Sequence, residues 1–207
     1  MSNFAGERPV VAQTFITLDG YMVGPNEDIS WVINGFDRRM QADIAEYMGE
    51  QSDCFVFGRI TYEIFAAYWP TAVPYEAGEE LRPAEGREDP RIIRALNESP
   101  KLVVSTTLPP QTWKNTRVIR HGLIETIKGL KREPGKSINV QGSASVVQAL
   151  ERADLIDEYH LYLHPVLLGA GTPLFAAGVG RQDFERIQLT PYDSGAMRMV
   201  YRRRRVD

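Results

Sequence analysis

Short apolar runs and amphipathic stretches alternate along the chain, which is the pattern of an α/β fold. Val10-Val11-Ala12-Gln13-Thr14-Phe15-Ile16 predicts a first strand, closed by the turn pair Asp19-Gly20. Residues 38–51 predict a helix, with Met40, Ile44, Tyr47 and Met48 on one face. Asp53-Cys54-Phe55-Val56-Phe57 reads as a buried strand running into Gly58-Arg59, and 61–68 as a short helix that stops before Pro70. Further on, 90–98 predicts a helix, Lys101-Leu102-Val103-Val104-Ser105 a strand, 116–120 a weaker strand and 123–132 a helix. Ser137-Ile138-Asn139-Val140-Gln141 is a strand that enters Gly142-Ser143-Ala144-Ser145 and then an amphipathic helix carrying Val146, Val147, Leu150 and Leu155. The segment 157–164 is a strand, and a Gly/Pro loop follows through Phe175. Strands near 183–190 and 196–204 form an antiparallel hairpin around Tyr192-Asp193-Ser194-Gly195.

Residues 70–90 are the longest stretch without periodicity, rich in Pro, Gly and Glu. A loop of that length in a compact domain is either a functional flap or an excursion. The reading is one α/β domain over 1–207, its core about 10–204, with about eight strands and four or five helices. The 207 residues agree with one domain. Hydrophobic residues at 43% and charged residues at 25% exclude disorder, collagen and coiled coil. Lysine and arginine number 24 against 27 aspartate and glutamate, a net charge of −3, so there is no basic field for nucleic acid. The one cationic run, Arg202-Arg203-Arg204-Arg205, reads as a solvated strand end. A single cysteine, Cys54, excludes an internal disulfide and fits a reducing compartment. No stretch approaches the roughly 18 apolar residues of a membrane span, and the N-terminal segment lacks an apolar signal core. A cytoplasmic protein without membrane or nucleic-acid partners is expected.

Several chemistries can be set aside. The chain has no GxSxG elbow and no HExxH, and Cys54 sits mid-strand. His160 and His164 lie in a strand reading, where four residues span roughly 13 Å, too far to share a metal. Gly169-Ala170-Gly171 resembles the start of a dinucleotide fingerprint, but Pro173 stands where its helix should begin. Three strand ends remain: Gly58-Arg59-Ile60-Thr61, Ser105-Thr106-Thr107 and Gly142-Ser143-Ala144-Ser145. Free N–H groups at a helix start suit phosphate, an arginine fork adds charge, and small residues let a pyrophosphate approach the backbone. In open α/β sheets ligands gather outside the carboxyl ends of strands. Each turn taken singly reads first as a solvated cap; together they bring a nucleotide site level with that reading.

Thr17-Leu18-Asp19-Gly20-Tyr21-Met22-Val23-Gly24, Val56-Phe57-Gly58-Arg59-Ile60-Thr61-Tyr62-Glu63 and Lys101-Leu102-Val103-Val104-Ser105-Thr106-Thr107-Leu108 occur in that order. Gly142-Ser143, Leu155-Ile156-Asp157-Glu158 and Pro165-Val166-Leu167-Leu168-Gly169-Ala170-Gly171-Thr172-Pro173-Leu174-Phe175 follow. The series resembles the dihydrofolate reductase superfamily, closest to the reductase domain of the bifunctional riboflavin-biosynthesis deaminase–reductase and its stand-alone bacterial relatives. The resemblance implies a central mixed, mainly parallel sheet of about eight strands flanked by helices, a homodimer, and NADPH bound across the strand ends. It places Gly58, Arg59 and Thr61 at the adenosine phosphates, and Ser105 and Thr106 beside the ribose 2′-phosphate. Gly142, Ser143, Ala144 and Ser145 fall at the pyrophosphate and nicotinamide, and Val23 and Gly24 in the loop over the nicotinamide, which would lie near Thr14 and Phe15. Gln141, in the same turn, stands where a paired glycine is usual, which weakens the expectation of an unusual Gly-Gly peptide geometry.

By the same resemblance, Asp28, three residues ahead of Trp31, matches the carboxylate that holds the pterin, and His164 the hydroxyl partner on the facing strand. Asp28 and His164 are therefore the candidate catalytic pair beneath the nicotinamide, with the Asp28 pKa raised by burial. Other readings stand beside these: a turn former for Asp28, a satisfied strand-end histidine for His164, and a turn former for Asp19. Phe15, Trp31 and Tyr62 are candidate substrate walls or core residues, and Tyr21 and Phe36 are equally open. No arginine matches the folate-tail ligand, and no deaminase counterpart is present, so neither folate nor a ribosylated pyrimidine phosphate is assured as substrate. The expected activity is hydride transfer from NADPH to a small pteridine- or pyrimidine-like heterocycle; the alternative is a non-catalytic nucleotide or small-molecule binder. The apolar Leu161–Phe175 strand and loop is a candidate dimer contact.

Overall fold

The computed structural model describes residues 6–76 and 87–204. In chain order its elements are β1 (Val10–Thr17), β2 (Tyr21–Val23), α1 (Ser30–Asn34), α2 (Arg38–Glu46), β3 (Ser52–Gly58), α3 (Arg59–Tyr68), β4 (Val73–Pro74), β5 (Arg87–Glu88) and α4 (Pro90–Glu98). There follow β6 (Lys101–Val104), β7 (Thr116–Ile119), α5 (Leu123–Lys131), β8 (Ser137–Val140), α6 (Ala144–Arg152), β9 (Glu158–His164), β10 (Thr172–Pro173), β11 (Phe184–Pro191) and β12 (Met197–Arg203). The helix expected over 38–51 ends at Glu46 and finishes in a wide π-type turn, Tyr47–Gln51, which leads into β3 at Ser52. β2 and β10, which the sequence pattern did not signal, pair with each other beside the end of β1.

Eight strands form one sheet in the order β11-β12-β9-β1-β8-β3-β6-β7. The run from β9 to β7 is parallel; β12 lies antiparallel to β9, and β11 antiparallel to β12. The inner strands are covered on both faces, which is why their sequences are continuous apolar runs rather than alternations. One core, around Val56, Ile138, Val140, Val147 and Leu150, lies under α5 and α6. The other, around Met40, Phe55, Phe57, Tyr62 and Leu96, lies under α2, α3 and α4. Helices at the periphery are capped by acids: Asp37 accepts from Met40 N at 2.8 Å, and Asp89 from Arg91 N at 2.8 Å ahead of Pro90.

The stretch 70–90 enters and leaves through a short parallel pairing of β4 with β5. Glu88 is held by Tyr68 and Gln41, and Asp89 by Tyr75 and Arg91; residues 77–86 lie outside the described residues. The C-terminal arginines are not simply solvated, as the run had suggested. Strand alternation sends Arg202 to Glu158, 2.8 Å away, and Arg203 to the opposite face, where it meets Asp154 and, at 2.5 Å, the buried Glu151. Arg204 is exposed. No helix among the described residues is long and apolar enough to cross a membrane.

Candidate functional site

β8, β3 and β6 are adjacent and parallel, so the turns at their carboxyl ends lie side by side. Gly58, Arg59, Ser105, Thr106, Thr107, Ser143 and Ser145 meet there around a cleft of about 430 Å³, walled by Val104, Leu123, Val146 and Ala149. The β3 and β8 turns touch through Gly58, whose N–H donates to Gly142 O at 2.8 Å. A side chain at 58 would run into Ser143 Oγ and come within 2.9 Å of Ser143 Cβ and 3.0 Å of its backbone N. Gly142 has φ +106°, a left-handed value open to glycine, and a side chain there would meet Thr61 Oγ1 and Met22 Cε. The Gly142–Ser143 peptide is cis, so the loss of a Gly-Gly pair to Gln141 does not bring ordinary peptide geometry.

The cleft is lined by donors and by no carboxylate. α3 and α6 both begin there without a side-chain cap, leaving first-turn N–H groups for a ligand. Arg59 is half exposed, its Nη1 2.8 Å from Glu63 Oε2 one helical turn on. Ser105 Oγ accepts from Thr107 N at 3.2 Å and Leu108 N at 3.0 Å, which leaves its proton to donate outward. Arg120, which the sequence reading did not single out, holds this loop by donating to Thr106 O at 2.7 Å and Leu108 O at 3.0 Å. A lone arginine after a weak strand carries no signal of that role. The arrangement can hold an elongated anion with two or more phosphates.

Across β1 lies an aromatic cluster. Phe15 packs on Phe36, Tyr162 and His164 with ring centroids 5.5, 5.2 and 5.6 Å away, and Trp31 meets His164 edge-on at 5.2 Å. His164 is fully buried, and neither of its ring nitrogens nor Trp31 Nε1 has a hydrogen-bond partner among the described residues. Burial pulls the His164 pKa down to about 4, so the ring is neutral at neutral pH. Gly35 lies against it so closely that a side chain there would collide with His164 Nδ1.

The expected Asp28–His164 pair is not made. Asp28 is exposed and accepts from Ser30 N at 2.9 Å in an Asx-type turn, and these Ser30 hydrogen bonds hold its carboxyl below the usual range rather than above it. Its own geometry closes the loop, with its carbonyl accepting from Gly24 N at 2.8 Å. Tyr62 is a core residue, not a substrate wall: it is buried against Trp113 and Phe57, with its hydroxyl 3.3 Å from Thr116 Oγ1. Gln141 does not line the cleft; its amide donates to Gln13 Oε1 at 3.0 Å and Asn139 Oδ1 at 2.7 Å within a buried polar ladder. The Thr14 and Ala144 side chains are likewise buried, and neither lines the cleft. Val23 and Gly24 pack under the 169–171 loop, where a side chain on Gly171 (φ +136°) would hit the Val23 carbonyl and Gly24 Cα. Asp19 pins that loop by accepting from Leu168 N and Gly169 N at 3.1 and 2.7 Å, in keeping with its turn-forming role.

A family model described as the RibD C-terminal domain matches residues 8–197. "Uncharacterized protein YyaP" of Bacillus subtilis is 26% identical over 201 residues, covering 97% of this chain and 98% of that one. Among solved structures, a putative riboflavin biosynthesis protein from Shewanella superposes with a TM-score of 0.68 at 21% identity, over 95% of this chain and 99% of the other. A dihydrofolate reductase from Enterococcus faecalis, complexed with NADP(H), superposes with a TM-score of 0.57 at 13% identity, over 95% and 97%. The dihydrofolate reductase-like fold expected from the sequence is thus the observed one.

Proposed function

Since the chain belongs to the RibD C-terminal domain family, we propose that it is a reductase using NADPH to reduce a small pteridine- or pyrimidine-like heterocycle. The observation that carries the reading is the cleft in which three turns present a guanidinium, hydroxyls and two uncapped helix N-termini with no carboxylate among its lining residues. These donors fit the phosphates of a dinucleotide, and the absence of an acid favours the 2′-phosphorylated form. Bound there, NADPH supplies a hydride from its nicotinamide. Arg59 and Ser105 would hold the adenosine end and the Gly142–Ser145 turn the pyrophosphate, with Phe15 on the nicotinamide side.

On the substrate side, the neutral His164 and Trp31 Nε1 are buried polar groups in need of partners. A heterocycle with a polar edge satisfies both after displacing the Gly35–Phe36 turn, so these residues orient rather than protonate. The proton then comes from water, since Asp28 is exposed and strongly ionised. Positioning of the two rings supplies most of the acceleration. The same displaced carboxylate and closed aromatic cluster favour a second reading, a binder that holds NADPH without turnover.

The test is an NADPH fluorescence titration followed by loss of absorbance with a panel of dihydropterins, pterins and aminopyrimidines. Arg59→Ala should weaken NADPH by roughly 10- to 100-fold, the worth of a charge-assisted hydrogen bond. Unchanged affinity in that variant overturns the cofactor assignment. Tight binding without oxidation across the panel selects the second reading. A homodimer belongs to the same proposal, through the partly exposed apolar side chains of Leu163, Leu189, Met197, Met199 and Tyr201 on one face of β9, β11 and β12; light scattering reads it directly.

A further inference from the structure

At the other end of the sheet, a second cavity of about 510 Å³ opens between the end of α2 and strands β9, β12 and β11. Arg198, His160, Tyr47, Glu158, Lys136 and Ile187 are among its walls. It lies at the amino ends of β8 and β9, marked by Ser137 and Glu158, while the cofactor cleft lies at the carboxyl ends.

Arg198 is the unusual member. It is only 8% exposed, and among the described residues no carboxylate comes within ion-pair distance of it. Its Nη2 donates to His160 Nδ1 at 3.3 Å, and among the described residues its buried Nε has no hydrogen-bond partner. The other hydrogen bonds around it are committed. His160 donates from Nε2 to Glu158 Oε2 at 3.1 Å, which fixes the tautomer that leaves Nδ1 to accept from Arg198. Burial lowers the His160 pKa, in keeping with a neutral ring, and Tyr47 packs on that ring at 4.2 Å. Glu158 also takes Arg202 Nε at 2.8 Å, and Asp43 accepts from Tyr192 at 2.7 Å. Glu46, the remaining acid of the lining, is exposed.

A guanidinium removed from water without a counterion is costly, and buried charges are as a rule paired. Here a cavity in the size range of small-ligand sites adjoins it, with Lys136 among the residues of the same lining. We propose that this cavity binds a small organic anion, carrying one carboxylate or phosphate, whose oxygens pair with Arg198. Tyr47, Ile187 and Val200 give the body of such a ligand an apolar wall. The site is independent of the cofactor cleft and stands or falls separately from the reductase reading.

The chain has three histidines, so their ring resonances can be followed individually in the intact protein. Inorganic phosphate and succinate are titrated separately at constant ionic strength, with chloride as the control salt. At least one should shift the His160 ring resonances saturably, and the one that does identifies the preferred oxyanion. Arg198→Met should weaken that binding at least 10-fold, whereas Arg59→Ala should leave it unchanged. Loss in Arg59→Ala with retention in Arg198→Met assigns the anion to the cofactor cleft and overturns the proposal. No saturable shift with either anion, or one matched by chloride, also overturns it. If Arg198→Met does not fold, Arg198→Lys serves in its place: it keeps the charge but loses the fork, and an affinity equal to the parent's overturns the pairing.

Discussion

Gly58→Ala isolates the contact on which the cofactor cleft depends. Gly58 has φ −78° and ψ 166°, an extended conformation that alanine adopts freely, so the backbone itself raises no objection. Replacing glycine there would even stabilise by about 0.4–1 kcal/mol through the unfolded chain. The added methyl, however, runs into Ser143 Oγ, with Ser143 Cβ at 2.9 Å and Ser143 N at 3.0 Å. The hydroxyl can swing aside, but the Cβ and the amide belong to the turn. Relief therefore requires the β8–α6 turn to move and the 2.8 Å Gly58 N to Gly142 O bond to lengthen. Overpacking of this kind costs about 1–3 kcal/mol, and a weakened buried hydrogen bond about 1 more, against the gain from the unfolded state. A net loss of about 1–3 kcal/mol should lower the melting temperature by roughly 2–12 °C in a domain of this size. Calorimetry on Gly58→Ala, Ser143→Gly and the double variant measures it. Because Ser143→Gly removes the Cβ and Oγ that collide, the double variant should recover about 1 kcal/mol or more relative to additivity. A Gly58→Ala protein as stable as the parent, or a strictly additive cycle, refutes the reasoning.

Other consequences can be checked in parallel. Arg203 is buried between Glu151, 2.5 Å away, and Asp154; Arg203→Met leaves the Glu151 carboxylate uncompensated and should cost about 3–5 kcal/mol in urea denaturation, with a loss under about 1 kcal/mol counting against the buried pair. The His164 pKa is lowered from 6.5 to about 4 by burial, so between those values the unfolded chain holds a proton the folded one refuses. Stability present above pH 6.5 is therefore lost as pH falls toward 4; His164→Phe should flatten this acid limb by about 2 kcal/mol after allowance for screening, and an unaltered limb argues that the ring is hydrated. Glu63→Gln releases Arg59 from its exposed ion pair and should tighten NADPH binding about twofold, a change read in the fluorescence titration; weaker binding would mean that Glu63 orients Arg59 for the ligand.

Much of the fold was legible because it rests on periodicity and on strand–turn–helix punctuation. Residues 58–61, 105–107 and 142–145 each follow an apolar strand with small or hydroxylated residues, and the parallel sheet sets them side by side. Side-chain direction was harder to read. The Asp28–Trp31 spacing is real, yet a carboxylate two residues ahead of a free N–H turns back onto its own chain, and nothing in the spacing reports that. α3 carries Ile60, Tyr62, Ile64 and Phe65 around much of its circumference, so its pattern did not say which aromatic faces the core. A row of arginines looks solvated until strand alternation sends neighbours to opposite faces, each toward its own acid. The need for glycine at 58 was also hidden: its torsion angles are ordinary, and only the approach of a turn 85 positions later excludes a side chain.

That separation makes the cleft a sensor of completed folding. Its three lips come from distant stretches of chain, and none of them is shaped to hold an anion until β8, β3 and β6 have paired. Contacts of such long sequence separation are costly to close and form together with the sheet as a whole. A partly folded chain or a fragment that lacks any one of the three strands offers only part of the lining. Occupancy of the cleft then counts intact molecules, and a ligand held there stabilises the entire domain by mass action instead of bracing one loop.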